Sequence, residues 1–472
     1  MKTKKMLVCG EWRTGAEIFE VKSPYANEIL AEVSSADASQ TEESIAFAEQ
    51  AAKKMRQLAR FEIAKGLRLI ASGIERRKKE FAETIANEAG KPITLARGEV
   101  ERGIATFAWA AGEAERFCGE IVPVDTQAIG RGKTAYTKPF PRGVIYGITP
   151  FNFPLNLVGH KVAPALAAGN AIIIKPSDKT PLTALLLGEV FLESNLPKGA
   201  LQIVPMNVKH IDTPLRDERI QMISFTGSSE VGWKLKNRAG RKAIALELGG
   251  NAPVIVDQSA DIEKSLSRIT TGAFTYSGQV CISVQRVFVQ QKIFDEWTEK
   301  FVERAKNLRK GNPLDEATEI SVMITEEAAK KAHCWIEEAT GNGAKILCGG
   351  KRDGAMLDAT VLTNTNAEMR VASEEIFAPV AVVEKFSEFE VAVDASNQTE
   401  YGLQAGVFSN DFRNVNYAVD KLEYGGVLVN DVPTFRVDNM PYGGVKSSGF
   451  GREGVRWAME EMTEIKLVVI NL

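Results

Sequence analysis

Cysteine, histidine and long apolar runs are all scarce in this chain of 472 residues. Its five cysteines are Cys9, Cys118, Cys281, Cys334 and Cys348. Because they are odd in number and irregularly spaced, they argue against a disulfide framework and favour a reducing compartment, the cytoplasm. The three histidines show no paired spacing, so no metal site is predicted. No stretch approaches the roughly 20 apolar residues of a membrane span.

The charge and the size of the chain further limit the classes of protein to which it can belong. The formal net charge of −3 gives no electrostatic reason to expect binding to nucleic acid or to an anionic membrane. A hydrophobic content of 44% and a charged content of 25% are ordinary for a globular protein. A chain of 472 residues is too long to fold around a single hydrophobic core, so two or three domains are expected. The N-terminal segment has too short an apolar run for a signal peptide and is interpreted as a first strand.

The order of apolar patterns predicts an α/β fold. Apolar residues recur at helical spacing through residues 37–118. From residue 143 short apolar strands alternate with helices, beginning with the strand Val144–Ile148, the helix Leu155–Ala168 and the strand Ala171–Lys175. A second alternating set starts at Leu246. Such β-α-β units indicate parallel sheets.

Two β-rich segments lie outside this alternation. Residues 119–142 are bounded by glycine and proline and predict a hairpin excursion, and residues 464–471 form a terminal apolar strand. The terminal strand suits a contact between subunits, and it equally suits the closure of an internal sheet.

Cys281, in Gly278-Gln279-Val280-Cys281, is the side chain best suited to attack a carbonyl group near neutral pH, since a thiolate is intrinsically very nucleophilic. Glu247, in Leu246-Glu247-Leu248-Gly249-Gly250, is a candidate base that activates water. Asn152 follows the strand Val144–Ile148, at the kind of strand-to-helix junction where α/β proteins place ligands. Its amide suits an oxyanion hole, and it also suits a helix N-cap.

Taken together, the motifs resemble the aldehyde dehydrogenase superfamily from about residue 20 to the C-terminus. They stand in the family's order: Pro150–Pro154, Lys175-Pro176-Ser177, Phe225–Ser228, Leu246–Gly250, Cys281, Glu374–Pro379 and Pro441–Gly444. The resemblance implies a Rossmann-type dinucleotide-binding domain at residues 1–118 and 143–245. It also implies a catalytic domain at residues 246–440 and a small β element for oligomerisation at residues 119–142 and 455–472, in a homodimer or homotetramer.

The resemblance also implies the chemistry. Cys281 is similar to the nucleophile that forms a thiohemiacetal and then a thioester, and Asn152 with the amide of Cys281 is similar to the oxyanion hole. Glu247 is similar to the base that activates water to hydrolyse the thioester. Lys161 and Glu453 match a pair proposed to relay protons, and a structural salt bridge is an equally good interpretation of that pair.

The cofactor implied by the resemblance is NAD, with NADP possible. Its expected contacts are Lys175, Ser177, Asp178, Gly227, Ser228, Glu375 and Phe377. Many NAD-dependent relatives carry Glu where this chain has Asp178. A carboxylate there accepts hydrogen bonds from the 2′-hydroxyl and repels a 2′-phosphate, and the shorter Asp makes that exclusion less secure.

Arg102, His160 and Arg436 are the candidate substrate-binding residues. Two guanidinium groups and an imidazole suit an anionic or hydroxylated aldehyde, although the arginines equally suit ion pairs. The segment around Arg436 resembles relatives that oxidise lactaldehyde, semialdehydes and phosphono- or sulfo-aldehydes. The alternatives are acyl transfer to coenzyme A or phosphate, a Cys-His hydrolase built from Cys281 and His160, and a catalytically idle binding scaffold.

Overall fold

The computed structural model describes residues 3–471. Its first unit is built on a mixed sheet of eight strands within that range, whose central strands are buried on both faces. Every residue of Ala171–Lys175 and of Val144–Ile148 is buried, as expected for parallel strands covered by helices on both sides. In order across the sheet the strands are Glu11–Arg13, Met6–Val8, Leu201–Ile203, Ala171–Lys175, Val144–Ile148, Ile220–Thr226, Ala243–Glu247 and Gly449–Phe450.

The helical prediction for residues 37–118 is confirmed. The first helix begins after Asp37, whose side chain accepts a hydrogen bond from the Gln40 amide at 2.8 Å. Apolar side chains at helical spacing join those of the sheet in common cores. The helices of this unit are Ala38–Met55, Arg60–Arg76, Lys78–Ala89, Ile93–Arg116, Asn156–Ala167, Leu182–Leu192, Asp212–Arg216, Ser229–Arg238 and Val455–Glu461.

The second unit is a sheet of seven strands within the described range, parallel except at one edge. Its order is Lys345–Cys348, Thr360–Thr363, Val380–Phe386, Val284–Gln290, Ala252–Val256, Gln404–Phe408 and Gly426–Val429. The stacked aromatic rings of Trp297 and Phe301 fill its core. The helices of this unit are Ile262–Phe274, Phe294–Lys306, Glu326–Gly341, Arg370–Ser373, Phe389–Asn397 and Phe412–Lys421.

The carboxyl edge of the first sheet faces the amino edge of the second sheet. The segments that follow Val144–Ile148, Ile220–Thr226 and Ala243–Glu247 lie at the carboxyl edge of the first sheet. The segments that precede Ala252–Val256 and Val284–Gln290 lie at the amino edge of the second. The carboxyl ends of parallel strands lie at one edge of a sheet and their amino ends at the other. Residues far apart in the chain therefore converge between the two units.

A third sheet joins Ile121–Val122, Lys133–Pro141 and the terminal strand Thr463–Asn471. The last two strands pair antiparallel over their full length, with Thr463 opposite Pro141 and Asn471 opposite Lys133. Of the two interpretations of the terminal strand, closure of an internal sheet is therefore realised. Its apolar side chains nevertheless remain exposed.

Several features differ from the predicted layout. The boundary at residue 246 falls inside the strand Ala243–Glu247, because this strand belongs to the first sheet. The helix Val455–Glu461, expected within the oligomerisation element, packs into the core of the first unit through Val455 and Met459. The sequence pattern indicates neither the hairpin Glu17–Lys22 and Ile29–Ser35 nor the ribbon Arg352–Asp353 and Met356–Leu357.

The remaining short elements are 3₁₀ turns at Ala128–Gly130, Val208–His210, Thr275–Gly278 and Lys446–Ser448. No helix among residues 3–471 is both long enough and apolar enough to cross a bilayer.

Candidate active site

A cavity of about 370 Å³ lies between the two units. It brings together all three predicted catalytic side chains, all three predicted substrate-binding side chains and four of the predicted cofactor contacts. These lining residues are Cys281, Glu247, Asn152, Arg102, His160, Arg436, Gly227, Ser228, Glu375 and Phe377. The other three predicted cofactor contacts, Lys175, Ser177 and Asp178, lie outside this cavity's lining.

The loop that carries Cys281 has an unusual backbone. Tyr276, Ser277 and Gly278 have φ of 50°, 53° and 68°, so three consecutive residues are left-handed. Two side chains hold this turn: the Tyr276 hydroxyl donates to the Ala89 carbonyl at 2.9 Å, and the Ser277 hydroxyl donates to the Ser321 carbonyl at 2.7 Å. Surrounding structure thus holds a sparsely populated conformation directly before the nucleophile, a pattern typical of functional loops.

The Cys281 side chain is partly buried and lies against the Tyr442 hydroxyl, with Sγ 3.1 Å from Oη. Burial raises the pKa of Cys281 to about 12, and the carboxylates of Glu375 and Glu247 act in the same direction. The Tyr442 hydrogen bond and the Arg436 charge act to lower this pKa. The nucleophile therefore depends on donors and positive charge in its surroundings.

Asn152 is placed as an oxyanion ligand. Its Nδ2 donates to the Gln279 carbonyl at 2.9 Å, and because an amide nitrogen carries two hydrogens, the second remains for a substrate oxygen. The helix that follows begins only at Asn156, so Asn152 is not its N-cap.

A buried ion pair fixes the Asn152 loop. The Glu99 carboxylate accepts hydrogen bonds from the Leu155 and Asn156 amides at 2.9 and 3.2 Å and also pairs with Lys91. The Lys91 ammonium lies 3.6 Å from the centre of the Phe153 ring. It also lies over Tyr276, so one cation contacts both the oxyanion loop and the cysteine loop.

Glu247 ends the strand Ala243–Glu247, and its carboxyl group is buried with no hydrogen-bond partner for Oε2 among residues 3–471. Its backbone carbonyl accepts a hydrogen bond from the Gly227 amide at 3.0 Å, which ties this strand end to the neighbouring one. Burial raises the pKa of Glu247 well above its ordinary value, and the nearby Glu453 carboxylate adds to the rise. A raised pKa suits a general base that must act near neutral pH.

The candidate substrate residues are joined in a buried ionic network. Arg102 Nη2 lies 2.7 Å from Asp438 Oδ1, and His160 Nε2 lies 2.8 Å from the same oxygen. Arg436 Nη2 reaches His160 Nδ1 at 3.2 Å and Glu453 Oε2 at 3.3 Å. Both guanidinium groups therefore have acidic partners. The Nε atom of Arg436, however, has no partner among the described residues.

The contacts in this network lower the pKa of two buried carboxyl groups. Burial alone would raise the pKa of Asp438, but the His160 hydrogen bond and the Arg102 charge hold it far below its ordinary value. Glu453 behaves in the same way, since Lys161, His160 and Arg436 outweigh its burial. Lys161 Nζ lies 3.1 Å from Glu453 Oε1, so the salt-bridge interpretation of that pair is realised.

The cavity fits a nicotinamide dinucleotide at its other end. Gly227 and Ser228 precede the helix Ser229–Arg238, whose free N–H groups suit a pyrophosphate. The Glu375 carboxyl group accepts a hydrogen bond from the Gly250 amide at 3.0 Å, and burial raises its pKa to about 7. A Cβ atom on Gly249 would overlap this carboxyl group, so the backbone must approach it closely.

The expected ribose contacts lie at the end of the strand Ala171–Lys175. Lys175 Nζ donates to Asp178 Oδ1 at 2.9 Å and to the Pro176 carbonyl at 3.2 Å. The Ser177 hydroxyl oxygen accepts from the Lys179 amide at 3.2 Å. The Asp178 side chain is about half exposed, so its carboxylate can meet a bound ligand.

Mainly parallel sheets, a partly buried cysteine at the cavity between them and a helix N-terminus suited to a pyrophosphate are features of a nicotinamide-dependent enzyme that works through a thiol. Residues 12–468 match the aldehyde dehydrogenase family, and the chain belongs to that family. It is an NAD(P)-dependent aldehyde dehydrogenase.

Several relatives match over nearly their whole length. The chain is 43% identical to the 3-sulfolactaldehyde dehydrogenase of Priestia aryabhattai, covering 100% of this chain and 99% of that one. It is 42% identical to the lactaldehyde dehydrogenase of Methanococcus aeolicus, covering 99% and 100%. Among solved structures, the glyceraldehyde-3-phosphate dehydrogenase GapN of Methanocaldococcus jannaschii, complexed with NADP, is 41% identical with a TM-score of 0.93, covering 96% and 99%.

Some residues that shape the site were not predicted. Asp438 stands two residues after Arg436, and this proximity to a candidate arginine was the available signal. The sequence around Glu99 and Lys91 does not indicate their role, because that role depends on contacts with segments more than 50 residues away. Tyr442 lies in a quoted motif, but its contact with Cys281 joins residues 161 positions apart.

Proposed function

We propose that this enzyme oxidises a small anionic aldehyde to its carboxylic acid. The observation that carries the proposal is the convergence of Cys281, Glu247 and Asn152 on one cavity that also contains two arginines. The names of the relatives support a small polar substrate: one acts on sulfolactaldehyde, one on lactaldehyde and one on glyceraldehyde 3-phosphate.

In the proposed reaction the Cys281 thiolate attacks the aldehyde carbon, and the carbonyl oxygen becomes an alkoxide. The free N–H of Asn152 and the Cys281 amide stabilise this alkoxide. A nicotinamide cofactor held by Gly227, Ser228, Glu375 and Phe377 would supply a hydride acceptor, and loss of the hydride would convert the adduct on Cys281 into a thioester. Glu247 then removes a proton from water, the resulting hydroxide attacks the thioester, and the Cys281 thiolate leaves as the acid is released.

The charges around the cavity favour an anion. Arg102, Arg436 and Lys331 are the cationic side chains that line the cavity, and Asp438 and Glu453 are the acidic partners of the two arginines. Burial raises the pKa of Glu247 well above its ordinary value and that of Glu375 to about 7, so both carboxyl groups ionise less readily than exposed ones. The unpaired Nε of Arg436 costs free energy in the buried site, and a carboxylate, sulfonate or phosphate oxygen would satisfy it.

NAD is proposed as the preferred cofactor. Asp178 is partly exposed beside Lys175, where it can accept hydrogen bonds from a ribose 2′-hydroxyl and repel a 2′-phosphate. The pairing of Lys175 with Asp178 also keeps that ammonium from a phosphate.

A homodimer or homotetramer is the proposed assembly, in the cytoplasm as the cysteine usage predicts. Ile465, Leu467 and Val469 alternate along the terminal strand and are 80%, 57% and 50% exposed. An apolar face on an exposed sheet is typical of a contact with a second copy.

Substitutions at Cys281 and Glu247 test the chemistry. Cys281→Ala should abolish aldehyde oxidation while leaving cofactor binding intact, because it removes only the nucleophile. Glu247→Gln should give a rapid burst of reduced cofactor and then stall, since a general base contributes about 100- to 10,000-fold. In the native enzyme, thioester hydrolysis should slow as the pH falls, because Glu247 with its raised pKa becomes protonated. Stopped-flow absorbance measures both phases, and full steady-state turnover by either variant would refute the assignment.

Asp178→Asn tests cofactor choice. Removing this partly exposed charge should raise the catalytic efficiency with NADP by about fivefold, the effect of roughly 1 kcal/mol of repulsion in a hydrated site. Asp420→Asn on the exposed surface of the second unit is the matched control. Steady-state kinetics with both cofactors give the ratio, and a native preference for NADP would contradict the proposal.

Leu467→Glu tests assembly. The substitution places a carboxylate at the centre of a strand that the second copy would cover. It should dissociate the oligomer, because burying an unpaired charge is costly. Light scattering after gel filtration measures the mass, and Phe61→Glu, at another exposed apolar side chain, should leave it unchanged. A native protein that is monomeric at micromolar concentration is incompatible with the proposed assembly.

Arg102→Leu tests the substrate class. Loss of one charge-assisted contact should lower kcat/KM for succinic semialdehyde by about ten- to a hundredfold and leave propanal almost unaffected. Arg68→Leu, which removes a surface arginine paired with Glu115, is the control. Equal losses with both aldehydes would mean that Arg102 is structural and that a neutral hydroxy-aldehyde is the better candidate.

A further inference from the structure

The Tyr442 hydroxyl lies against the reacting atom of the proposed mechanism. Its Oη is 3.1 Å from Cys281 Sγ, within hydrogen-bond distance for sulfur, and Tyr442 is only 4% exposed. With a protonated thiol either atom can donate. A thiolate has no proton, so in the reactive form of the enzyme the phenol is the donor.

The phenol is suited to stay a donor. Burial raises the pKa of Tyr442 well above its ordinary value, so the hydroxyl keeps its proton at working pH. The titratable and charged groups that face Cys281 come from three segments: Glu247 from the first, Glu375 from the second, and Arg436 and Tyr442 from the third. The two carboxyl groups oppose a thiolate, whereas Arg436 and Tyr442 favour it.

The position of the Tyr442 ring is fixed from two sides. Its backbone forms a two-hydrogen-bond bridge with Glu453, at 3.0 and 2.7 Å. The Arg436 guanidinium carbon lies 3.7 Å from the ring centroid, and Glu453 in turn holds that guanidinium at 3.3 Å. A cation above the ring face both restrains the ring and polarises its hydroxyl toward donation.

We infer that Tyr442 is a further catalytic residue, which donates a hydrogen bond to the Cys281 thiolate, and that Arg436 is the positioning residue for its ring. The inference rests on the proposed role of Cys281 as the nucleophile. When the thiolate forms, the thiol proton passes to solvent and the phenol proton stays on Oη. When the aldehyde is attacked, the sulfur electron pair forms the S–C bond and the hydrogen bond weakens. It forms again as the thiolate leaves the thioester.

Alkylation of Cys281 by iodoacetamide, followed peptide by peptide with mass spectrometry, tests this without any turnover. Tyr442→Phe removes one oxygen atom. Loss of a hydrogen bond to a charged sulfur makes the thiolate scarcer but also more nucleophilic. The net expectation is an alkylation rate about four- to fifteenfold lower at each pH below the thiol pKa, with the line of log rate against pH displaced in parallel. Replacement of Tyr442 by 3-fluorotyrosine, a stronger donor, should displace it the opposite way.

Controls are built into the chain. The exposed Cys118 and Cys334 should react at native rates in every variant, which also reports that the variant is folded. Tyr146→Phe removes the hydroxyl of another buried tyrosine, which donates a hydrogen bond to the Met206 sulfur at 3.4 Å, and should leave Cys281 unchanged. An unchanged Cys281 rate in Tyr442→Phe, or the same displacement in both phenylalanine variants, overturns the inference. Failure of Cys281→Ala to abolish oxidation would instead overturn the proposed function.

Discussion

Compensation of buried charge around Glu453 is the constraint on which the site depends. One carboxylate, 3% exposed as a residue, contacts Lys161, His160 and Arg436, and its backbone bridges Tyr442. An unpaired ion at this depth would cost several kcal/mol, so removing any partner would leave a buried charge without compensation. The side chains on this side of the cavity are consequently held by ion pairs and hydrogen bonds as well as by packing.

The same principle assigns different states to neighbouring carboxyl groups. Glu453 and Asp438 have cationic partners and are held ionised, whereas Glu247 has only distant cations and a nearby carboxylate, so its pKa rises. Groups of one chemical type thus serve as fixed charge or as titrating base according to their contacts. A base that is readily protonated can both accept the proton of water and release it in the next cycle.

The sequence predicted what depends on local pattern. Val144–Ile148 and Ala171–Lys175 match the observed strands residue for residue, because strands buried on both faces are short apolar runs. Cys281, Glu247 and Asn152 were found by motif and do line one cavity. The pairing of Arg102 with Asp438 joins residues 336 positions apart, and such contacts leave no periodic signal along the chain. The anionic partners of the arginines therefore required the fold.

Arg436 acts on both the Cys281 thiolate and the proposed anionic substrate. Its charge lowers the free energy of the Cys281 thiolate, and its unpaired Nε makes it a candidate ligand for an anionic substrate. In the proposed complex the substrate anion offsets part of that charge just as the thiolate must attack. A hydrogen bond from a neutral phenol is not offset in this way, because it depends on a short contact rather than on net charge. An enzyme that binds anionic aldehydes beside its nucleophile thus gains most from a neutral donor such as Tyr442 on the sulfur.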